Sequence, residues 1–474
     1  MRRELWIGGK WLQASEYTAL TSPYGGGVIA EVAQAGEAET GLAIDAAELA
    51  APIMARMPAH ERSAILERVV RLMESRKEEL AGLLVREAAK PIRTARGELA
   101  RTIQTYRFAA MEATRIHGET IPMDAAPGGE GRVAYTVRKP LGVVGAITPF
   151  NFPFNLVAHK VGPAIAAGNT VVLKPAGQTP LSALALGELF AEAGLPDGAL
   201  NIVTGRGSVV GEALVRDERV KAITFTGSPE VGIALRAKAG LKRVTLELGS
   251  NSALIVDESA ELTDELIDRC VLGAFSFGGQ VCISIQRIYV HRLRTDEFLG
   301  KFAEAALRLK TGDPALDDTD VSALIHPREA QRIDAWVRAA EKRGARIVAG
   351  GRLLPDGVYA PTIVTGVPED EPLSCREAFG PVVCVESVDS IDEAIARVNR
   401  SRYGLQAGIY TKDIHAAMRA ADRLEVGGVM INDFPTFRVD HMPYGGVKES
   451  GIGREGIKYA IEELTELKLV SIRI

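Results

Sequence analysis

Short apolar runs alternate with helical stretches through the middle of this chain. Five runs have the length of strands, at residues 141–148, 170–173, 200–204, 222–226 and 243–248. Strands that are separated by helices pair in parallel, because each helix returns the chain to the same edge of the sheet. The pattern therefore predicts an α/β fold with a doubly wound sheet.

The flanking segments extend this plan. Residues 37–116 have helical spacing of their apolar residues. Further strand-like runs at 252–256, 287–291, 382–385 and 427–431 predict a second α/β unit. The chain has 474 residues, and domains usually span ~100–200 residues, so two or three domains are expected.

The composition indicates a globular protein that acts on small molecules. Hydrophobic residues make up 46% and charged residues 25%, with a formal net charge of −5. This balance predicts no basic surface for nucleic acid or for an anionic membrane. The N-terminus lacks the apolar core of a signal peptide, and no run approaches the ~18 apolar residues of a membrane span. Four scattered cysteines predict a cytoplasmic protein without a disulfide framework or a metal site.

Cys282 is the candidate nucleophile. It lies at 277–284 in the stretch Phe-Gly-Gly-Gln-Val-Cys-Ile-Ser, among small and polar residues. A thiolate is intrinsically a strong nucleophile, and neighbouring glycines let a carbonyl group approach it. The alternative is a buried structural thiol, which is how Cys270, Cys375 and Cys384 are interpreted.

Glu247 is the candidate general base. An alternating apolar run delivers it just before the turn Gly249-Ser250. A carboxylate at a strand end within an apolar wall has its pKa raised by desolvation, which suits proton abstraction from water. The alternative, an edge-strand carboxylate facing solvent, stays open on this motif alone.

Asn151 is the candidate oxyanion donor. It lies between two prolines and among three aromatic residues in the run 147–154. Prolines fix the local backbone, so the amide N–H groups of Asn151 are held in a preset direction. That is what stabilisation of an oxyanion requires. Taken alone, the run could also be only a rigid turn.

With these three residues together, the sequence resembles the aldehyde dehydrogenase superfamily over nearly its whole length. Four further motifs occur in the family's order: Leu-Lys-Pro-Ala at 173–176, Phe-Thr-Gly-Ser-Pro-Glu-Val-Gly at 225–232, Glu-Ala-Phe-Gly-Pro at 377–381 and Pro-Tyr-Gly-Gly-Val-Lys-Glu-Ser-Gly at 443–451. The segments 283–288 and 432–438 are most similar to the branch of lactaldehyde, non-phosphorylating glyceraldehyde-3-phosphate and phosphonoacetaldehyde dehydrogenases.

The resemblance implies a three-part architecture. Residues 1–117 and 139–248 would form a Rossmann-like cofactor domain, and residues 249–445 a catalytic domain, both doubly wound. Residues 118–138 and 457–474 would form an oligomerisation hairpin and tail. An isolated hairpin is only marginally stable in water, so burial against a second subunit of a homodimer or homotetramer is expected. The alternative is a floppy insertion and tail.

The resemblance also implies a reaction and a cofactor, NAD with NADP possible. Cys282 would attack the aldehyde, Asn151 and the Cys282 backbone N–H would hold the oxyanion, and Glu247 would activate water to hydrolyse the thioester. The turn before the helix near 229 offers backbone N–H groups to a pyrophosphate. The implied cofactor residues are Thr148, Pro149, Phe150, Lys174, Ala176, Gly177, Gly227, Ser228, Gly249, Glu377 and Phe379.

Gly177 bears on the choice between NAD and NADP. The family often has glutamate at this position, three residues beyond Lys174. A carboxylate would repel a 2′-phosphate, whereas glycine neither repels nor binds it. The sequence therefore favours NAD with NADP tolerated.

The substrate predicted from the resemblance is a short aldehyde that is polar or anionic. Arg107, His159 and Arg438 lie where family members line the substrate entry. Relatives that act on phosphorylated or phosphonylated aldehydes often have arginine directly before the nucleophile, and here Val281 takes that place. For Arg107 and Arg438, an ordinary ion pair stays as open an interpretation as a role in substrate binding.

Two alternatives to this function follow from the same family. Members that transfer the acyl group to coenzyme A typically lack the glutamate at position 247, so its presence favours hydrolysis. Other members are catalytically silent structural or binding proteins. The intact set of Cys282, Asn151 and Glu247 favours an enzyme.

Overall fold

The computed structural model describes residues 2–474. In chain order its strands are β1 (Arg2–Arg3), β2 (Leu5–Ile7), β3 (Lys10–Leu12), β4 (Glu16–Thr21), β5 (Val28–Gln34), β6 (Thr120–Ile121), β7 (Arg132–Pro140), β8 (Val143–Ile147), β9 (Thr170–Lys174), β10 (Leu200–Ile202), β11 (Val220–Thr226), β12 (Arg243–Glu247), β13 (Ala253–Val256), β14 (Arg287–His291), β15 (Arg346–Ala349), β16 (Thr362–Thr365), β17 (Val382–Val388), β18 (Tyr403–Gly404), β19 (Gln406–Tyr410), β20 (Gly428–Ile431), β21 (Val447–Lys448), β22 (Gly451–Ile452) and β23 (Thr465–Arg473).

The helices are α1 (Glu37–Arg56), α2 (Ala59–Ser75), α3 (Lys77–Ala88), α4 (Ile92–Ala113), α5 (Asn155–Ala167), α6 (Pro180–Glu192), α7 (Glu212–Arg216), α8 (Pro229–Lys238), α9 (Asp264–Phe275), α10 (Thr295–Leu307), α11 (Pro327–Lys342), α12 (Pro372–Cys375), α13 (Ile391–Asn399), α14 (Ile414–Arg423) and α15 (Ile457–Glu463). Over residues 2–474, no helix is both long enough and apolar enough to span a membrane.

The larger sheet contains eight strands in the order β22-β12-β11-β8-β9-β10-β2-β3. Its five central strands, β12 to β10, run parallel, and antiparallel strands close both edges. Every residue of β8 and β9 is buried. Burial on both faces is the reason that these strands read as continuous apolar runs in the sequence.

The second sheet contains seven strands in the order β15-β16-β17-β14-β13-β19-β20, parallel except for β15. Together the two sheets confirm the predicted α/β class. The predicted strand at 287–291 is β14 without change, and the other strands predicted in the two sheets agree within a few residues. Three strands of this sheet were not predicted from the sequence: β15, β16 and β19, the last of which pairs with β13 next to the edge strand β20.

A separate three-stranded sheet joins residues 465–473 to residues 120–140, in the order β23-β7-β6. β23 pairs antiparallel with β7 over nine residues, from Thr465 opposite Pro140 to Arg473 opposite Arg132. The segment predicted as a hairpin does pair β6 with β7. Leu467, Leu469 and Ile472 of β23 are exposed in the single chain.

The predicted helical segment 37–116 folds as α1 to α4. α4 packs against α2, α3 and α5. Because 3.6 residues make one turn, residues three, four and seven positions apart share a face. Glu98 and Thr105 are seven positions apart and therefore share one face of α4, where both are buried. This face of α4 approaches the loop after β8.

Candidate active site

Several predicted site residues lie at the carboxyl ends of four adjacent strands. Glu247 ends β12 and Lys174 ends β9, while Thr148 directly follows β8 and Gly227 directly follows β11. These four strands are consecutive neighbours in the larger sheet. Loops at the carboxyl ends of parallel strands form the natural crevice for a ligand.

A cavity of about 1020 Å³, here named the strand-end cavity, opens at this edge of the sheet. Its walls include loops that follow β8, β9, β10 and β11, and the helix α8. Eight of the eleven residues predicted to bind the cofactor line it: Thr148, Pro149, Phe150, Lys174, Ala176, Gly177, Gly227 and Ser228.

The lining of the strand-end cavity fits a nicotinamide dinucleotide. The Thr148 and Thr226 hydroxyls are buried and have no hydrogen-bond partner in the protein. Ser228 caps α8 by accepting the Val231 backbone N–H, and Pro229 has no N–H, so the Glu230 N–H of the first turn is the one left for a phosphate. A Cβ atom at Gly177 would meet nothing within 4 Å. Polar partners and open space for an elongated anionic ligand are therefore both present.

The other three predicted cofactor residues lie beside this cavity. Glu377 accepts a hydrogen bond from the Ser250 backbone N–H at 2.9 Å, and its carboxyl carbon would be 3.0 Å from a Cβ atom at Gly249. Burial raises the pKa of Glu377 to about 7. The Phe379 ring packs edge-on to the Phe150 ring at 5.8 Å between centroids.

Cys282 lies in a second cavity of about 720 Å³, here named the thiol cavity. Its Sγ atom is 2.9 Å from the Tyr444 hydroxyl. Burial raises the pKa of the Cys282 thiol to about 11, while the Tyr444 hydrogen bond and the charge of Arg438 oppose that rise. Val281, Ile283 and Tyr444 also line the thiol cavity, so the sulfur faces apolar and aromatic walls.

A tight turn between α9 and β14 delivers Cys282. Phe277 and Gly278 both adopt left-handed conformations, with φ of 49° and 61°. Gly279 has φ of 69°, and a Cβ atom there would overlap the Gly380 carbonyl oxygen. Glycine alone accepts both the backbone angle and this close approach. The Gly-Gly pair in the sequence is therefore required by the backbone geometry of this turn.

Asn151 is buried in the loop between β8 and α5. Its Nδ2 atom donates to the Gln280 carbonyl oxygen at 3.0 Å, two residues before the thiol. Gln280 is held in turn, since its Oε1 atom accepts the Ile325 backbone N–H at 2.9 Å. The amide is therefore fixed against the loop that carries Cys282, with its second N–H still free to meet an oxyanion.

Glu247 is 3% exposed, and neither carboxylate oxygen has a hydrogen-bond partner in the protein. Burial raises its pKa well above the usual range, and the negative charge of Glu455 adds to the rise; Arg438 and Lys160 oppose it. An unpartnered buried carboxyl of this kind is suited to accept a proton near neutral pH.

Arg438 lies at the centre of a buried charge network beside the thiol. Its Nη2 atom donates to Glu455 Oε2 at 2.9 Å, and its guanidinium stacks on the Tyr444 ring at 3.6 Å. Lys160 binds the other oxygen of Glu455 at 2.9 Å. Arg438 lines the thiol cavity and its Nε atom has no partner in the protein.

His159 and Asp440 continue this network away from the thiol. His159 Nε2 lies 2.9 Å from Asp440 Oδ1 and 3.1 Å from Arg438 Nη2. Burial and the charge of Arg438 lower the pKa of His159. Asp440 also binds Arg101 at 2.7 Å and accepts from Asn155 Nδ2 at 3.0 Å. His159 thus lies in contact with Arg438 rather than among the residues that line the thiol cavity.

The structure does not bring Arg107 to the thiol cavity. Its side chain is 43% exposed and forms an ion pair with Glu74 on α2. Arg101, six residues earlier on α4, lines the cavity instead. Six residues correspond to about 240° around a helix, so the two arginines point in different directions. The sequence predicted that Arg107 lines the substrate entry, whereas the structure places its side chain on the outer face of α4, away from the thiol cavity.

Three further site residues were not identified from the sequence: Arg101, Tyr444 and Glu455. Tyr444 lay within the motif at 443–451, and its nearness to Cys282 in space is what reveals its role. Glu455 follows that motif by four residues. Across residues 2–474, no group of three or more His, Cys, Asp and Glu side chains is placed to hold a metal ion.

Comparison with known proteins agrees with this geometry. Residues 11–470 match the aldehyde dehydrogenase family model. The chain is 46% identical to the 3-sulfolactaldehyde dehydrogenase of Priestia aryabhattai, over 99% of this chain and 98% of the relative. Aldehyde dehydrogenase 21 from Physcomitrella patens, solved with the reaction product succinate, superposes with a TM-score of 0.97 at 42% identity, covering 100% of this chain and 98% of that one.

A third similar structure is the glyceraldehyde-3-phosphate dehydrogenase GapN of Methanocaldococcus jannaschii, complexed with NADP. It superposes with a TM-score of 0.93 at 38% identity, covering 97% of this chain and 100% of that one. The predicted branch of the family is thereby confirmed. The chain belongs to the aldehyde dehydrogenase family and oxidises an aldehyde to a carboxylic acid with a nicotinamide dinucleotide as oxidant.

Proposed function

We propose that the substrate is a short aldehyde with an anionic group at the end remote from the carbonyl. The observation that carries this proposal is the position of Arg438, which is 5% exposed and lines the same cavity as Cys282. Arg101 lines that cavity too. A guanidinium forms strong, directional hydrogen bonds to carboxylate, sulfonate or phosphate oxygens, most of all where water is excluded.

The names of the similar proteins support the same class. One relative is a 3-sulfolactaldehyde dehydrogenase, and one similar structure holds succinate as its product. Both names imply a short chain with an acidic group opposite the reacting carbon. The thiol cavity, with about 720 Å³, is large enough for such a molecule. We propose 3-sulfolactaldehyde and succinic semialdehyde as the first two candidates.

Cys282 begins the proposed reaction by adding to the aldehyde carbon as a thiolate. Tyr444 and Arg438 stabilise that thiolate through a hydrogen bond and a nearby positive charge. The carbonyl oxygen becomes an oxyanion held by Asn151 Nδ2 and the Cys282 backbone N–H. Asn151 is already fixed by its bond to Gln280, so little reorganisation is needed when the charge forms.

The nicotinamide dinucleotide, when bound, supplies the hydride acceptor. Thr148, Lys174, Gly227 and Ser228 would hold it in the strand-end cavity. Glu377 would bind the ribose next to the nicotinamide, and Phe379 would pack close to that ring.

Glu247 completes the proposed reaction by deprotonating the water that cleaves the Cys282 thioester. Both of its oxygens are free of protein partners, so one can accept the proton directly. Hydrolysis regenerates the thiol and releases the carboxylic acid. Transfer to coenzyme A is the alternative, and the unpartnered carboxyl at this position favours water as the acceptor.

We propose NAD as the preferred cofactor, with NADP tolerated. Gly177 is exposed and presents no carboxylate that would repel a 2′-phosphate. Arg206 and Lys238 also line the strand-end cavity, and each is paired with a glutamate, Glu16 and Glu212. Because both side chains are paired with carboxylates, neither cation is held ready to bind the 2′-phosphate of NADP.

The sheet β23-β7-β6 supports a homodimer or homotetramer. β23 lies at the edge of this sheet with exposed apolar side chains, and such an edge is a template for association with another chain.

We propose a cofactor domain at 1–117 and 139–248 and a catalytic domain at 249–445. All four cysteines are free, which supports a cytoplasmic location.

The proposal is tested by initial rates with 3-sulfolactaldehyde, succinic semialdehyde, glyceraldehyde 3-phosphate, lactaldehyde and propanal, each with NAD and with NADP. An anionic aldehyde should have a kcat/KM roughly 100-fold above that of propanal, which corresponds to one desolvated charged hydrogen-bond pair. Equal values for propanal and the anionic aldehydes would refute the anionic substrate. Rates below detection throughout would favour a catalytically silent member.

A further inference from the structure

A buried charged pair, Lys90 and Glu98, lies beneath the loop that presents Asn151. Both side chains are 0% exposed and form an ion pair. Lys90 Nζ also donates to the Asn151 carbonyl oxygen at 2.6 Å. Glu98 Oε1 accepts the backbone N–H groups of Phe154 and Asn155 at 2.9 and 3.2 Å. The pair thus holds this loop at Asn151 and again just beyond it.

Lys90 also touches the turn that carries the nucleophile. Its Nζ atom lies 3.9 Å from the centre of the Phe152 ring and 4.3 Å from the centre of the Phe277 ring. Phe277 has the left-handed conformation that opens the turn toward Cys282. One ammonium group therefore joins the loop of the oxyanion donor to the loop of the thiol.

Nothing in the proposed chemistry consumes either charge. Desolvating two charges is costly, and apolar side chains of similar volume often stabilise a fold as well or better. A fully buried pair of this kind is thus weak evidence for a role in stability. The pair instead fixes the positions of the groups that it bonds, because charge-assisted hydrogen bonds hold the atoms that they join more tightly than apolar packing does.

We infer that Lys90 and Glu98 are positioning residues that orient the Asn151 amide toward the Cys282 thiol. This inference rests on the proposed role of Asn151 as oxyanion donor. Oxyanion stabilisation depends steeply on donor position, so a small displacement of Asn151 affects the transition state more than substrate binding.

The first experiment compares the full-length wild type with Lys90→Met/Glu98→Gln, which removes both charges together and leaves no unpaired ion. We expect kcat to fall roughly 100-fold, as for a misplaced oxyanion donor. The dissociation constant of the cofactor, measured by fluorescence, and the alkylation rate of Cys282 should stay within about threefold, because neither depends on the oxyanion. An unchanged kcat in the folded variant overturns the inference.

A double-mutant cycle with Asn151→Ala separates positioning from a general structural effect. If Lys90 and Glu98 act through Asn151, the paired substitution should cost less than about threefold in kcat once Asn151 is alanine. Additive losses in the cycle overturn the inference. If Asn151→Ala alone leaves kcat unchanged, the proposed role of Asn151 fails, and this outcome is distinct from additivity.

Two further variants control for folding. Glu87→Gln alters another buried carboxyl near Lys90, one that accepts N–H groups of Leu181 and Ser182 at the start of α6; it should lower Tm without lowering kcat more than about twofold. Lys90→Arg keeps the ion pair but changes the donor geometry. If the paired variant does not fold, Lys90→Arg replaces it in the same double-mutant cycle. A loss of about tenfold in kcat that disappears in the Asn151→Ala background supports the inference. Full activity of Lys90→Arg overturns it.

Discussion

The strand-end cavity and the thiol cavity are built in opposite ways. The strand-end cavity is lined by loops at the ends of adjacent parallel strands, with glycines and unpartnered threonine hydroxyls. The thiol cavity adjoins a dense network of buried charges, Arg438, Glu455 and Lys160 among them. The first offers space and backbone groups to a large ligand, and the second sets the charge around one sulfur atom.

This difference predicts where substitutions have the greatest effect. A ligand cradle made of many weak contacts loses little when one contact changes. A reacting centre depends on single atoms at fixed positions and in fixed charge states. The largest effects are therefore expected at the thiol cavity and the smallest at the strand-end cavity.

Cys282→Ala should have the largest effect, because it removes the nucleophile. We expect kcat to fall by at least about 10⁴-fold, while the dissociation constants of NAD and NADP, measured by fluorescence titration, change less than about threefold. Cys375→Ala is the matched control, since its thiol lies apart from both cavities. Retained turnover in Cys282→Ala would remove the proposed nucleophile.

Glu247→Gln should slow hydrolysis by roughly 10²- to 10⁴-fold, the usual contribution of a general base. The thioester should accumulate after one equivalent of reduced cofactor per site, seen as a burst in rapid mixing. Because burial raises the pKa of Glu247, its proton is retained to a higher pH than in a free carboxyl. The wild-type hydrolysis rate should therefore rise with pH through that pKa, and this rise should be absent from the variant.

Arg438→Gln should weaken selection for the anionic substrate. We expect kcat/KM for succinic semialdehyde to fall roughly 30-fold more than kcat/KM for butanal, from the loss of about 2 kcal/mol of charged hydrogen bonding. Taking the ratio cancels the shared effect of leaving Glu455 without this partner. Arg107→Gln is the control, because its side chain pairs with Glu74 on the surface. Equal losses for both aldehydes would argue against contact with the anion.

Tyr444→Phe should reduce the reactivity of the thiol without removing it. With a pKa of about 11, the thiolate fraction of Cys282 rises about tenfold per pH unit through the neutral range, and alkylation by iodoacetamide should follow it. Loss of the hydroxyl should raise the pKa further and slow alkylation about tenfold at each pH. A variant with wild-type rates would show that the 2.9 Å contact does not support the thiolate.

Gly177→Glu should have the smallest effect and should act on one cofactor. A carboxylate at this exposed position should weaken NADP binding about fivefold through screened repulsion of the 2′-phosphate, with NAD nearly unchanged. Gly177→Gln has similar size without the charge and serves as the control. If both variants weaken the binding of NAD and NADP equally, the size of the side chain at position 177, and not its charge, limits cofactor binding there.

The sequence predicted the strand-end cavity better than the thiol cavity. Thr148, Lys174 and Gly227 each stand at or just past the end of a buried apolar run, and the resemblance to the family implied their role toward the cofactor. Arg101 and Glu455 carried no local signal. Arg101 is one of several arginines on an amphipathic helix, and Glu455 comes to the site from a segment 173 residues beyond Cys282.

The sequence by itself determined the α/β class and, through its motifs, the family, and it led us to propose Cys282, Glu247 and Asn151 as the chemical residues. It did so because strand alternation, glycine turns and prolines are local requirements that leave local marks. Tertiary structure alone decided which arginine of α4 lines the thiol cavity, the contact of Tyr444 with the sulfur, and the link from Lys90 to Asn151. Charge interactions depend on distance in space rather than along the chain, so only the packed structure fixes them.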